Sequence, residues 1–465
     1  MLFEQLIENF NGLIFFKQIY GIVLITFLLV DAPYFLKLYT PISIVRTKKT
    51  YFLMSLIWFI WLVSAILLLF PRIIFFNTFI IFLFHFYFFM YQNIFKKKFI
   101  SFGVEGYFLY FGALYLTLIE FSQFLALDEK IIYLILFIFK IELALIMFSG
   151  GIEKIKHGFL KDFGFNYAYS NPKISRLYKI FQKLKPKHYF FKFVNYVGTY
   201  SEIISGLLLL IPIFSIYGSI VVIGIFTVVC LSTQLVFIPI LMINTSSLII
   251  YLSNAEFSLL QFVSQIEYFY RFEGIFISLL LFYLAHCIIF SLLNIFPNFI
   301  SRLKFIHYYR KIILTVSVSS HSFTVFSPFQ TGMFFRIYEL DQSNKELKNI
   351  IFDGYSKHYK KHFYSLKNVY LGSRNIIRCS MPHIFNDNFK NYITGNKKQT
   401  ILHFGKLMQT NNSYNILIER FQIIEKEDKF YYLPMIEVLI EPTKESITVN
   451  SKSKEALIPI EKLNK

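Results

Sequence analysis

The chain has 465 residues, and 55% of them are hydrophobic, which excludes an ordinary soluble globular protein of this size. A net charge of +19 would suit a nucleic-acid binder, but the lysines fall in loops beside apolar runs, where membrane proteins set topology and touch headgroups. The lipid bilayer is therefore the expected partner and no nucleic acid is. Cys230, Cys287 and Cys379 are too far apart for a CxxC site or a disulfide framework.

Glu4 and Glu8 stand where a cleavable signal peptide would carry basic residues, so the first membrane helix is read as the targeting element. Apolar runs long enough to cross a bilayer, about 20 residues, fall at 15 to 36, 51 to 70, 73 to 94, 107 to 127 and 131 to 152. Residues 156 to 196 then interleave lysines with aromatics such as Phe159, Tyr167 and Tyr178, a composition suited to the headgroup layer. Runs resume at 197 to 214 and 218 to 238, with a shorter one at 239 to 253 that either crosses or re-enters, and a last one at 274 to 295. The expected fold is a polytopic α-helical membrane bundle of eight or nine membrane helices over residues 1–300.

Residues 301–465 are more polar and read as a C-terminal α+β or mainly β extramembrane domain. Phe334 to Leu340 alternates like a strand and runs into a turn at Asp341 to Asn344. Residues Arg374 to Thr394 suit a helix, and Asn415 to Ile424 and Phe430 to Ile440 suit two strands of a hairpin. The lysine-rich tail after Pro442 reads as loose.

Charged groups within apolar runs each cost roughly 3 kcal/mol on insertion scales unless paired or hydrated. They include Asp31, His85, Glu105, Glu120, Lys140, Glu142, Glu202 and His286. Helical spacing puts Lys140, Met147 and Lys154 on one stripe, so the bundle either holds a charge-lined cavity or pairs Lys140 with a carboxylate on a neighbouring helix. At the end of that run comes Ser149-Gly150-Gly151-Ile152-Glu153-Lys154. The glycines allow another backbone or a flat ligand to approach, and Lys154 either snorkels to headgroups or faces the interior. His358 and His362 have metal-pair spacing, but the lysines around them repel a cation, so no metal is expected.

Several short segments occur in an order that resembles the vitamin K-dependent gamma-carboxylase family and the wider group of HTTM membrane proteins. They are Lys17 to Asp31 with Tyr20-Gly21 between, Gly150 to Ile155, Tyr200-Ser201-Glu202, Thr233-Gln234-Leu235 through Ile240, and Ser327-Pro328-Phe329 through Phe334. The resemblance implies that Lys154 is a catalytic base acting on a reduced lipophilic quinone; the enzyme reading built on it takes Glu202 and Glu105 as candidate partners of that base and Gly150, Gly151 and Gln234 as candidates for the cofactor site. It also implies a peptide or lipid substrate held by the β domain. Such a base must be uncharged near neutral pH, and burial in an apolar pocket favours that form of a lysine. The histidines that accompany glutamate carboxylation are missing, with Gly103 to Tyr107 and Val229 in their places. A second reading keeps the bundle as a non-catalytic scaffold or accessory in the maturation or export of, or immunity to, a secreted peptide. The basic loops around Lys48, Lys96 and Lys156 share one face; the positive-inside rule makes it cytoplasmic, whereas the resemblance makes it exoplasmic.

Overall fold

In the computed structural model the described residues are 12–31, 48–70, 75–91, 103–156, 158–160, 164–171, 174–233, 236–253, 271–295, 333–343, 346–353, 398, 401–402, 405–406, 413–451 and 457–459. The helical part comprises α1 (Gly12–Asp31), α2 (Lys48–Leu67), α3 (Phe75–His85), α4 (Gly103–Phe124), α5 (Glu129–Lys156), the short α6 (Phe165–Ser170) and α7 (Tyr178–Phe181), α8 (Tyr189–Leu210), α9 (Ser215–Ser232), α10 (Phe237–Ser253) and α11 (Arg271–Ile295). Among the described residues five helices, α1, α2, α5, α8 and α9, are long and apolar enough to cross a membrane. That is fewer than the eight or nine expected: α4 and α11 are long helices whose described residues do not meet the length and apolarity of a span, and two other runs are short. The run at 73 to 94 gives 11 α-helical residues and then a π-helical turn, Phe86–Tyr91, and α10 has 17 described residues.

The helices are joined by small residues and aromatic contacts rather than by amphipathic faces. Trp61 of α2 is fully buried and stacks on Phe88 at 5.5 Å. Phe139 of α5 stacks on Phe111 of α4 at 4.7 Å. α5 and α8 pack antiparallel at glycine contacts. A Cβ on Gly206 would lie 2.7 Å from the Phe148 nitrogen and 2.8 Å from the Ala144 oxygen, and one on Gly151 would lie 2.5 Å from Ile203 Cγ1. Close backbone approach at small residues is the way helices associate without a hydrophobic driving force.

The last described helix ends at Ile295 and the first described strand begins at Met333, on either side of the expected boundary at 300. Strands β1 (Met333–Leu340), β2 (Leu347–Asp353), β3 (Asn415–Lys426), β4 (Lys429–Glu441) and β5 (Ser446–Ser451) form an antiparallel sheet in the order β2-β1-β3-β4-β5, and β6 (Ile458–Pro459) pairs with β4. The β3–β4 hairpin closes through Glu427 and Asp428 with φ of 51° and 58°, positive at both central residues as in a type I′ turn. β5 and β6 correct the loose-tail reading after Pro442: Ile447 and Val449 alternate with polar neighbours and pair with Ile440 and Val438. The helix expected at Arg374 to Thr394 lies outside the described residues, as do His358 and His362.

One sheet serves two cores. In β3, Ile416 and Ile418 point to one face, with Val438 and Ile440 of β4 beside them, in a cluster that includes Ile401 and Leu402. Phe421 and Ile423 point to the other face, with Phe430 and Tyr432 beside them, against Phe159, Tyr167 and Phe191. The switch is a bulge: Arg420 pairs with Ile436 and Phe421 with Pro434, leaving Met435 as the extra residue. The basic-aromatic stretch after α5 therefore turns its buried aromatics to protein. Phe165, Tyr167 and Tyr169 are buried, Gln182 donates to the Tyr432 hydroxyl at 2.9 Å, and Lys187 pairs with Glu425 at 3.2 Å. An interfacial segment and a docking segment need the same composition, an apolar body with a charged rim, so the pattern alone does not separate them.

Gly206→Val should lower the melting temperature of the detergent-purified protein, by an overpacking cost of about 1–3 kcal/mol. Gly224→Ala, where an added Cβ meets nothing within 4 Å, should leave it within a degree or two of the parent or slightly above. Equal effects of the two would refute the close α5–α8 contact.

Candidate functional site

α5 begins with Glu129 and ends with Lys154 and Lys156, charges that match the helix dipole at both ends. Its last turn does not run out to solvent. Lys154 is buried, and its ammonium donates to Glu202 Oε1 of α8, with side-chain exposures of 9% and 12%. The two residues are 48 positions apart and meet because Gly151 lets α8 approach; Glu202 Oε2 lies 3.5 Å from where a Cβ of Gly150 would stand. α8 supplies the neighbour at Gly151, where the Thr199 oxygen and the Ile203 nitrogen would each lie 3.1 Å from an added Cβ, whereas Gly150 meets only the Glu202 carboxylate within 4 Å. Of the flat ligand or other backbone that the sequence left open, the geometry supplies a backbone at Gly151.

The chain then folds over the pair. The Phe159 nitrogen donates to the Lys154 oxygen at 3.0 Å, and Gly158 turns with φ of 72°. This brings the rings of Phe159 and Phe165 to 5.8 and 5.6 Å from the Lys154 ammonium, within cation–π range. Phe165 is held there by its own nitrogen donating to Asn195 Oδ1. The pair is thus enclosed by two helices and two aromatic rings, and Lys154 does not snorkel.

Glu105 lies in the first turn of α4, and the short connection between Phe124 and Glu129 makes α4 and α5 antiparallel, so α4 starts at the end where α5 finishes. The Glu105 side chain and the whole of Gln234 lie outside the described residues. Glu153, on the other side of α5, pairs with Lys156 at 3.2 Å.

Two further polar clusters are buried between helices. Lys17 of α1 pairs with Glu120 of α4 at 2.7 Å, and Thr78 of α3 donates to the same carboxylate at 2.9 Å. Glu142 of α5 accepts from Tyr115 of α4 at 2.8 Å and from Tyr283 of α11 at 2.9 Å. The sequence flags Glu120 and Glu142 as costly charges but not their partners; Tyr283 carries no signal of its own in an aromatic-rich chain. Lys140 differs from the neighbouring-carboxylate reading. Among the described residues no carboxylate pairs with it, and its ammonium lies 5.2 Å from the Phe137 ring.

These features define a membrane-embedded helical protein with an antiparallel sheet docked on the segment between α5 and α8. Comparison of the chain with protein-family models, with curated proteins and with solved structures gives no match.

Lys154→Ala or Glu202→Ala alone should destabilise the purified protein by about 3–5 kcal/mol, because each leaves a buried charge unmatched. The double change Lys154→Met with Glu202→Met should recover most of that loss in a thermal unfolding assay. Additive losses in the double variant would show that the two side chains do not interact.

Proposed function

We propose that this chain is a membrane enzyme whose acid–base unit is the Lys154–Glu202 pair, acting with a reduced lipophilic quinone on a peptide or lipid substrate. The single supporting observation is the enclosure of that pair: an amine and a carboxyl group in contact, shielded by Phe159 and Phe165, at the end of a long apolar helix. A proton passed from Lys154 to Glu202 frees the amine to act as a base. Glu202, whose side chain stays 12% exposed, then loses its proton to solvent and the ion pair is restored, once the freed amine has taken up a proton from an acidic hydroxyl. Both rings keep bulk water from competing for that proton. A reduced quinone supplies the acidic hydroxyl and, once deprotonated, reactivity toward oxygen. A flat aromatic headgroup suits a site walled by two phenyl rings. The quinone and the role of Lys154 follow the resemblance to the vitamin K-dependent gamma-carboxylase group, while glutamate carboxylation itself is not proposed.

The scaffold reading is favoured by a different observation, the close approach of the α8 backbone to Gly151, which makes the pair a clasp between helices. Oxygen uptake by the purified protein in nanodiscs, supplied with a reduced quinone, separates the two. The enzyme reading expects uptake above the protein-free rate, reduced about 100-fold or more in the Lys154→Met, Glu202→Met double variant, compared with the parent at a temperature where thermal unfolding shows both folded. Unchanged uptake in that variant would remove the pair from the chemistry, and no uptake by the parent would leave the scaffold.

A further inference from the structure

α8 and α9 are each long enough to cross a bilayer, but their register against α5 places them differently. Gly151 packs beside Thr199 and Ile203, and Gly206 beside Ala144 and Phe148, so α8 runs antiparallel to α5 and ends at Leu210, about one turn past Gly206. That level corresponds to the neighbourhood of Lys140. α5 has 28 residues, about 42 Å at 1.5 Å per residue, and continues from Lys140 for roughly 16 Å to Glu129. The hairpin tip thus lies close to halfway along the helix that crosses.

The other ends of the hairpin return to one side. Gly218 packs on Leu209 and Ser205, so α9 runs back alongside α8. It ends at Ser232, whose oxygen accepts from the Arg176 nitrogen at 3.0 Å and whose hydroxyl meets that of Tyr169 at 3.2 Å. Both belong to the segment docked on the sheet. α8 starts on the same side and exposes Tyr189, Phe193, Tyr196 and Tyr200, with Lys192 among them, as a headgroup-level belt does.

The tip suits hydrocarbon. Residues 203–255 contain no Asp, Glu, Lys or Arg, and Ile213 is 82% and Tyr217 61% exposed. A lipid-facing turn must close its backbone hydrogen bonds internally. Here the Ile211, Phe214 and Ser215 nitrogens donate to the Leu208, Ile211 and Pro212 oxygens, and Pro212 has no N–H to satisfy.

We propose that α8 and α9 form a re-entrant hairpin that enters the membrane from the sheet side, lodges its tip among the acyl chains near the bilayer midplane, and returns without crossing. The partner of its exposed face is the acyl layer of one leaflet. Lys154 and Glu202 then lie about two turns above the tip, where acyl chains meet headgroups.

The test is Ile213→Cys in the full chain with Cys230, Cys287 and Cys379 replaced, reconstituted in phosphatidylcholine vesicles. A bimane label placed there in detergent should be quenched more by lipids carrying a nitroxide near the chain end than by lipids carrying it near the headgroup. In intact vesicles a membrane-impermeant maleimide should fail to reach the thiol introduced by Ile213→Cys from either side, while Glu427→Cys and Lys130→Cys label from opposite sides. Labelling of the Ile213→Cys variant from the Lys130 side would overturn the proposal, since the hairpin would then cross. Ile213 is nearly fully exposed, so the change leaves no cavity; should the chain stripped of its own cysteines not fold, mapping the labelled peptide by mass spectrometry gives the same readout in the parent background.

Discussion

A charge taken out of water costs several kcal/mol unless an opposite charge or a set of hydrogen bonds meets it, and this bundle is arranged around that cost. Lys154 with Glu202 ties α5 to α8, Lys17 with Glu120 and Thr78 ties α1 to α4 and α3, and Glu142 with Tyr115 and Tyr283 ties α5 to α4 and α11. Each cluster joins elements far apart in the chain. Apolar contacts alone discriminate poorly between helix partners in lipid, because acyl chains are as greasy as leucine. Polar groups that must find each other supply the missing selectivity.

The same clusters show how far the sequence could be read. Charges inside apolar runs are visible directly, so Lys154, Glu202, Glu120, Glu142 and Lys140 stand out by their position in the chain alone. Their pairings are not visible, because partners separated by 48 or 103 positions are set by which helices become neighbours. Lys140 illustrates the limit: the sequence leaves open a charge-lined cavity or a carboxylate on a neighbouring helix, and among the described residues its ammonium lies by Phe137 with no carboxylate paired to it. The paired glycines announce a close approach without saying whether helix or ligand makes it. Strands β1, β3 and β4 were legible from alternation, whereas β5 was hidden by the lysines around it.

The stretch between α5 and α8 has the composition of a membrane-surface segment and the contacts of an interface. Phe159 and Phe165 face Lys154 on one side, while on the other Tyr167, joined by Phe191 of α8, meets Phe430, at 6.2 and 6.4 Å respectively. It is therefore the layer through which the bundle and the sheet touch. Exposed pairs such as Lys187–Glu425 and Lys185–Asp428 contribute little stability, so the rings carry the attachment and the charges refine its orientation.

The extra residue at Met435 gives that attachment a particular mechanics. The buried side chains of β4 are even-numbered in both of its halves, yet Phe430 and Tyr432 grip one face of the sheet and Val438 and Ile440 grip the other. The strand therefore works as an axle held at each half from opposite sides. A change in the packing of either core is thereby passed to the other along a single strand, because close-packed interiors transmit strain.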